Sequence, residues 1–210
     1  MGRLCDYDID RYARKLKGMV TDGRYRHSVG VMETARALAA AHGADGDRAS
    51  VAGLLHDLAR DLSQGESDAL WARYGLGAVM PQPYGFPDYG AGVDASIAHS
   101  YIGAAMAGDP EVLGITDEGV LDAIRHHTVG KANMSLLAKV VFVADYAEPG
   151  RRYAEAGMVR EVASTDIDAA ALMKLDRSIA ETVRKGRMAA VAAMAARNWL
   201  IRGLGGPGAR

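Results

Sequence analysis

The sequence predicts an all-α protein with a single domain. Only two phenylalanines and two tryptophans occur among its 210 residues, whereas alanine and methionine are plentiful. That composition favours helices, because alanine loses no side-chain entropy in a helix and aromatic and β-branched residues favour strands. Apolar residues recur at intervals of three and four, the spacing of a helix face. A chain of this length can bury a full-sized core.

The first half of the chain contains two long helical patterns and a short one. Residues 24–43 predict a helix that ends at Gly43, because glycine favours the left-handed conformation of a C-cap. Residues 49–62 predict a second helix with a strongly apolar face. Ser63 and Glu66 have the spacing of a capping box and predict the start of a short third helix.

A segment rich in glycine and proline, residues 75–92, interrupts this pattern. Such a composition is unsuited to a regular element and predicts a long loop. Long loops in compact domains are often lids or binding loops. Helices resume at about Ala95, and Thr116 is predicted to cap a helix that runs to about Thr128.

The last third of the chain is predicted to be helical as well. Residues 134–148 form an apolar pattern that Pro149 ends, and residues 166–201 form another that Gly186 interrupts. We therefore expect one domain over residues 1–202. The glycine-rich tail, residues 203–210, is predicted to be disordered.

Charge and composition exclude several classes of protein. With 25 basic and 26 acidic residues, the chain has no overall field that would attract nucleic acid or an anionic membrane. No apolar run approaches the roughly 20 residues that span a bilayer, and the N-terminal sequence is too charged for a signal peptide. We expect a cytoplasmic protein that binds neither partner. The single cysteine, Cys5, excludes an intramolecular disulfide.

Six residues that can bind a metal lie on or beside predicted helices: His27, His56, Asp57, His99, His127 and Asp145. Asp145 shares a helix face with Val141 and Phe142, and no lysine or arginine lies one turn before it. A carboxylate on an apolar face is unfavourable unless a cation accompanies it. A metal ion would supply that charge, and imidazole with carboxylate suits iron or manganese, with zinc also possible.

The doublet His126-His127 shows how helix faces select one ligand over another. His127 lies on the face of Ile124 and Val120, three and seven residues earlier, and is predicted to point into the core. His126 lies on the face of Asp122 and is predicted to be nearer the polar surface. We therefore assign His127 as a ligand and His126 as a flank close to the substrate.

The order His27, His56-Asp57, Asp145 resembles the signature of the HD superfamily of helical metal-dependent phosphohydrolases. The stretches HHTVGKANMS and ADYAEPGRR, residues 126–135 and 144–152, make it similar to the YqeK branch of that superfamily. Members of that branch use iron to hydrolyse symmetrical dinucleoside tetraphosphates, with diadenosine tetraphosphate giving two ADP. The resemblance covers about residues 24–152.

The resemblance implies an HD-type helical bundle with one or two metal ions. His27, His56, Asp57 and Asp145 would hold the first ion, and His99 and His127 the second, with Asp57 as the bridge. The implied catalytic residues are Asp57, Arg60 and His127. The candidates for binding a nucleotide substrate are Arg24, Arg60, Thr128, Gly130, Lys131 and Arg151.

Other functions remain open at the level of the sequence. The same fold could serve a phosphohydrolase of mononucleotides, cyclic dinucleotides or guanosine alarmones. A di-iron oxygenase with the same six ligands and a non-catalytic nucleotide-binding module are further alternatives. The apolar segment 188–201 could pack within the chain or across a homodimer.

Overall fold

The computed structural model describes residues 7–78 and 95–205, which form ten α-helices and no strand. The predicted all-α class is therefore confirmed. The first five helices are α1 (Ile9–Lys17), α2 (Asp22–His42), α3 (Gly46–Leu55), α4 (Gln64–Arg73) and α5 (Ala95–Gly108). The other five are α6 (Glu118–His126), α7 (Leu136–Ala147), α8 (Ala154–Ala163), α9 (Ile167–Arg184) and α10 (Val191–Gly203). No helix in these described ranges is long and apolar enough to cross a bilayer.

Several predicted helix ends are confirmed by their capping geometry. Helix α2 ends at Gly43, which has a φ of 75° and so adopts the left-handed conformation that a side chain disfavours. Ser63 and Glu66 form both hydrogen bonds of the predicted capping box at the start of α4. Gly186, between α9 and α10, also has a positive φ, of 64°. These local signals are readable because they depend on neighbouring residues only.

The helix predicted over residues 49–62 ends earlier, at Leu55, and that boundary was wrong. His56 is the C-cap of α3, and its Nδ1 donates a hydrogen bond to the carbonyl of Gly53 at 2.8 Å. Such a local bond competes with α-helical hydrogen bonding. The chain continues in tighter turns, with the Arg60 amide donating to the Asp57 carbonyl. The His-Asp pair therefore lies just beyond a helix, not inside one.

The predicted cap at Thr116 was also wrong, since Asp117 caps α6. Its carboxylate accepts hydrogen bonds from two backbone amides and forms an ion pair with Arg48 at 2.6 Å. Helices α1 and α8 had not been predicted. Of the predicted loop, Leu76–Ala78 form one 3-10 turn. Residues 79–92 lie outside the described ranges, as do Cys5 and the tail from 206 to 210.

Helix α7 lies at the centre of the bundle and contacts α2, α3, α6, α8 and α9. Leu137, Val140, Val141, Phe142 and Val143 are all buried, so that the helix is covered on every side. A helix that is apolar all round is typical of the core of a protein. Its position carries Asp145, in its last turn, into the middle of the molecule.

Helices α2 and α3 pack closely because Gly53 has no side chain. A Cβ at Gly53 would lie 3.1 Å from the Cα of Met32 and from the carbonyl oxygen of Val31, and 3.2 Å from the Cβ of Ala35. Two of these three atoms belong to the backbone and cannot rotate away. Because Gly53 has no side chain, α2 and α3 can approach closely, and His27 on α2 lies close to His56 at the end of α3.

We predict that Gly53→Ala destabilises the protein by about 1–3 kcal/mol, because the added methyl group overpacks the α2–α3 contact. Gly157→Ala is the matched control. Gly157 is also within a helix, but an added Cβ would meet nothing within 4 Å, and alanine should stabilise α8 by about 0.5–1 kcal/mol. Urea unfolding followed by circular dichroism measures both. Equal effects of the two substitutions would contradict the packing role of Gly53.

Candidate metal centre

All six ligands predicted from the sequence come together at the end of α7. Within the described residues, two groups have ligand atoms within 4.8 Å of one another: His27, His56 and Asp57 in one, and Asp57, His99 and His127 in the other. Asp145 adjoins the first group, since its Oδ1 lies 3.2 Å from Nε2 of His27 and 3.7 Å from Nε2 of His56. The groups come from α2, α5, α7 and the ends of α3 and α6.

The carboxylate of Asp57 lies between the two histidine groups. Its Oδ1 is 3.3 Å from Nε2 of His99 and 3.4 Å from Nε2 of His127, and its Oδ2 is 3.4 Å from Nε2 of His56. Burial alone would raise the pKa of Asp57, but the neighbouring imidazoles hold it well below its usual value. Asp57 is thus an ionised carboxylate with one oxygen toward each group. Asp57 is the residue that the two groups share.

Backbone carbonyls fix the tautomers of His56 and His127. Nδ1 of His56 donates to the carbonyl of Gly53, and Nδ1 of His127 donates to the carbonyl of Ile124, each at 2.8 Å. The proton on Nδ1 leaves the lone pair of Nε2 available, which is the arrangement found in metal-binding histidines. Burial lowers the pKa of His127 to about 4, so that its ring stays neutral.

The surroundings of His56 fit a bound cation. Its Nε2 is buried and has no hydrogen-bond partner in the described part of the chain, yet it faces carboxylate oxygens of Asp57 and Asp145. Burial alone would lower the pKa of His56, but these two carboxylates outweigh it and raise the pKa. A lone pair and two carboxylates around one point favour a positive charge there, either a proton or a metal ion.

Glu148 orients His27 and was not recognised in the sequence. Its Oε1 accepts a hydrogen bond from Nδ1 of His27 at 3.1 Å, which leaves Nε2 directed at the centre. Glu148 is buried, and two glycines make room for it. A Cβ at Gly30 or at Gly150 would lie 2.8 Å from its carboxylate oxygens. The signal in the sequence that could have identified Glu148 is its position in the segment Glu148-Pro149-Gly150, directly after the apolar helix.

His99 is held differently from the other three histidines. Nη1 of Arg60 lies 3.0 Å from Nδ1 of His99, and a guanidinium can only donate. Nδ1 is therefore the acceptor, and the proton of the neutral ring is on Nε2. That nitrogen lies 3.2 Å from Oγ1 of Thr128 and 3.2 Å from Nε2 of His127. For His99 to bind a metal through Nε2, Arg60 has to release Nδ1.

Cations do accompany Asp145, although the sequence indicated none one turn before it. Nη2 of Arg151 lies 2.9 Å from its Oδ1, and Nζ of Lys174 lies 3.2 Å from its Oδ2. Burial alone would raise the pKa of Asp145, but Lys174 and His27 hold it well below its usual value. The chain thus supplies positive charge beside Asp145 that helix spacing did not indicate, because α9 brings Lys174 from 29 residues away.

Lys174 is almost completely buried and joins two parts of the centre. Its Nζ donates to the carbonyls of His127 at 3.1 Å and Phe142 at 2.5 Å, in addition to Asp145, and lies 3.8 Å from the centroid of the Phe142 ring. A lysine ammonium has three donors, and these contacts account for all three. Lys174 therefore ties the end of α6 to α7.

A cleft of about 320 Å³, which we call the metal cleft, opens onto these ligands. Its described lining includes Asp57, His99, His127 and Asp145, and four of the residues predicted to bind substrate: Arg24, Arg60, Thr128 and Arg151. Arg24 lies 2.5 Å from Oδ2 of Asp57. Nη2 of Arg151 lies between Nε2 of His27, at 3.2 Å, and Oδ1 of Asp145.

Two other predicted substrate residues lie elsewhere. Lys131 forms an ion pair with Asp122 at 2.6 Å, and Nε2 of His126 lies 3.4 Å from the same carboxylate. Gly130 is buried at a turn with a φ of 70°, where a Cβ would meet Ala196 at 3.4 Å. None of the three belongs to the described lining of the metal cleft. The structure thus gives Gly130 a role in packing and Lys131 a role in a partly exposed ion pair.

We predict that Lys174→Met destabilises the metal-free protein by about 2–4 kcal/mol, because it removes the buried charged donor to Oδ2 of Asp145 and to two carbonyls. Lys185→Met, at the C-cap of the same helix, is the control. Lys185 is exposed and, among the described residues, pairs with the exposed Glu181 at 3.0 Å, so its loss should leave stability nearly unchanged. Urea unfolding in the presence of a chelator compares the variants. A Lys174→Met protein as stable as the control would show that this lysine is not required for the fold.

Comparisons with known proteins identify the family. The HD domain model matches residues 24–150, a range that includes all six candidate ligands. A symmetrical bis(5'-nucleosyl)-tetraphosphatase of Bacillus subtilis is 33% identical over 90% of this chain and 95% of its own. The enzyme of the same name from Halalkalibacterium halodurans is 38% identical over 82% and 86% of the two chains.

Solved structures include a similar protein as well. A protein from Clostridium acetobutylicum, described as a predicted HD superfamily hydrolase involved in NAD metabolism, superimposes with a TM-score of 0.80. It is 35% identical, and the match covers 93% of this chain and 97% of that one. With the family model, the full-length relatives and the buried His-Asp centre in agreement, this chain belongs to the HD domain family.

Proposed function

We propose that the protein is a metal-dependent hydrolase that cleaves diadenosine tetraphosphate symmetrically into two ADP. The position of Asp57 carries this proposal, since one carboxylate faces two histidine groups and the cleft beside them contains three arginines. The two relatives named above share both the substrate class and nearly the full length of the chain. Their name favours a hydrolase over an oxygenase. We further propose a cytoplasmic location.

His27, His56, Asp57 and Asp145 would hold one metal ion, and His99 and His127 would hold a second together with Asp57. Imidazole and carboxylate ligands suit iron, which we propose, and also manganese or zinc. Bound ions would neutralise charge on the phosphoryl oxygens and lower the pKa of a water molecule.

The chain's own cations bind the polyphosphate. Arg24 and Arg151, with side chains 26% and 35% exposed, line the metal cleft beside Asp57 and Asp145. Each now contacts a carboxylate of the centre, and a guanidinium can donate in the same way to two phosphate oxygens. Arg60 and the hydroxyl of Thr128 lie on the opposite side, beside His99. A phosphate chain that crosses the cleft therefore has donors on both sides.

Hydrolysis of the central anhydride forms one bond and breaks one. The oxygen of water joins a central phosphorus, the bridging P–O bond breaks, and the bridging oxygen leaves as part of the second ADP. The ionised carboxylate of Asp57, which lies between the two histidine groups, would orient that water by accepting a hydrogen bond from it, and the proton is released to solvent. The strongly lowered pKa of Asp57 keeps it deprotonated at neutral pH.

We predict that iron-loaded wild-type protein releases two ADP from diadenosine tetraphosphate, and that Asp57→Asn loses more than about nine-tenths of both the bound metal and the activity. Removing the bridging charge should affect both histidine groups at once. His42→Gln is the control, since His42 hydrogen-bonds to the Ala163 carbonyl, remote from the centre. Metal analysis and nucleotide chromatography provide the two measurements.

The same assay should include a mononucleotide, a cyclic dinucleotide and a guanosine alarmone. Release of ATP with AMP from diadenosine tetraphosphate, or turnover of the other nucleotides alone, would refute symmetrical cleavage. An Asp57→Asn protein with full metal content would refute the assignment of the bridge. Oxygen uptake by the iron-loaded protein would instead favour the oxygenase.

We predict that Arg151→Ala raises KM for diadenosine tetraphosphate by roughly 10–100-fold, because it removes a charged donor to phosphate. The bound metal should be unchanged, since Arg151 is not a ligand. Arg152→Ala, at the exposed neighbouring position, should leave KM within about twofold. Steady-state kinetics with metal analysis distinguishes these outcomes. Loss of metal from Arg151→Ala would show that the arginine supports the metal site itself.

A further inference from the structure

A second cavity, of about 300 Å³, lies next to the metal cleft. We call it the α9–α10 pocket, and it is lined by Ile97, Val129, Leu175, Ile179, Thr182 and Arg187 among others. Four residues, Arg60, Ser96, Thr128 and Ser178, line both the pocket and the metal cleft. A molecule bound at the metal centre can therefore extend past Thr128 into this pocket.

The chemistry of the pocket suits a nucleoside. Ile97, Leu175 and Ile179 present aliphatic surface from α5 and α9, and Thr182 and Arg187 add polar groups at the rim. The Thr182 hydroxyl donates to the Ser178 carbonyl at 2.8 Å, so its oxygen is left as an acceptor. Apolar walls with a few polar groups are typical of small-molecule sites, and about 300 Å³ is near their lower limit. The pocket has room for one nucleoside, not two.

The opposite side of the metal centre has a different character. An open depression with a volume of about 630 Å³ lies there, and we call its lining the arginine surface. It is lined by Arg24, Arg26, His27 and Arg151, with Glu148 and two glycines. Its described lining has no apolar side chain other than the aliphatic parts of the arginines. Three guanidinium groups bind phosphate well. They offer no wall against which a base could be enclosed.

We propose that the enzyme binds only one nucleoside of its substrate, in the α9–α10 pocket, and holds the far end through phosphates on the arginine surface. This inference rests on the proposed hydrolysis of dinucleoside tetraphosphates. The two ends of a chemically symmetrical substrate are then bound unequally. The second nucleoside remains in solvent and contributes little to kcat/KM.

Three substrates with two, one and no nucleosides test this directly. Cleavage at the central anhydride gives two ADP from diadenosine tetraphosphate, ADP with pyrophosphate from adenosine tetraphosphate, and two pyrophosphates from inorganic tetraphosphate. We expect the first two to have kcat/KM values within about fivefold, and the third to be lower by about 100-fold, because only it lacks the nucleoside contact. A preference above about tenfold for diadenosine tetraphosphate over adenosine tetraphosphate would show that the second nucleoside is bound and would overturn the proposal.

A substitution locates the nucleoside. Thr182→Trp should fill the pocket, and Val183→Trp, at a neighbouring position that is 63% exposed, is the matched control. Calorimetry with metal-loaded protein compares ADP with pyrophosphate. We expect Thr182→Trp to weaken the binding of ADP by at least about tenfold. The affinity for pyrophosphate and the metal content should be unchanged. Val183→Trp should leave all three unchanged. Unchanged ADP binding, or an equal loss of pyrophosphate, would refute the pocket.

Failure of this inference differs from failure of the proposed function. Wild-type protein that releases no ADP from diadenosine tetraphosphate would refute the proposed function. The calorimetric contrast between ADP and pyrophosphate requires no turnover and would still decide whether the pocket binds a nucleoside. Conversely, symmetrical cleavage with normal ADP binding by Thr182→Trp would support the function and reject the pocket.

Discussion

Two carboxylates, Asp57 and Asp145, lie at the centre of an apolar helical bundle, and the arrangement of the site follows from their charge. Burial makes an ionised carboxylate unfavourable unless cations or donors surround it. Here imidazoles surround Asp57, while Lys174 and Arg151 contact Asp145. These contacts keep the pKa of both carboxylates low. The positive charge that the fold must supply in its interior is also the charge that a phosphohydrolase needs.

The direction of the helices adds to this effect. His56 and His127 are the C-caps of α3 and α6, and Asp145 lies in the last turn of α7. The C-terminus of a helix has unpaired carbonyls and a partial negative charge. Those carbonyls anchor Nδ1 of both histidines, and the carbonyl of His127 at the end of α6 accepts from Lys174. Three helix ends around one point thus orient the ligands and favour a cation. A helix continuing through His56, as its apolar periodicity suggested, would have removed this arrangement.

What the sequence could predict depended on the distance between interacting residues. Helix faces and caps depend on near neighbours, and these signals directed His127 into the core. Lys174 acts on a residue 29 positions earlier, and Glu148 on His27, 121 positions earlier. Helix periodicity does not connect such pairs. Their contacts are determined by how α7 and α9 pack against the other helices. The missed residues are accordingly those that orient or neutralise the candidate ligands, whereas the six candidate ligands were singled out from the sequence and lie together in the structure.

A symmetrical product does not require a symmetrical site. A chain of four phosphates has three anhydride linkages, and the central one is the second from either nucleoside. One enclosed nucleoside is therefore enough to set the position of cleavage. The lining of the α9–α10 pocket adjoins Thr128 and His99, on the side of the centre away from the open arginines. The distance between this pocket and the candidate metal ligands then selects the anhydride that is cleaved. The arginines need only attract the negative charge of the remaining phosphates. The position of the cleaved bond would thus be set by a length measured from one end.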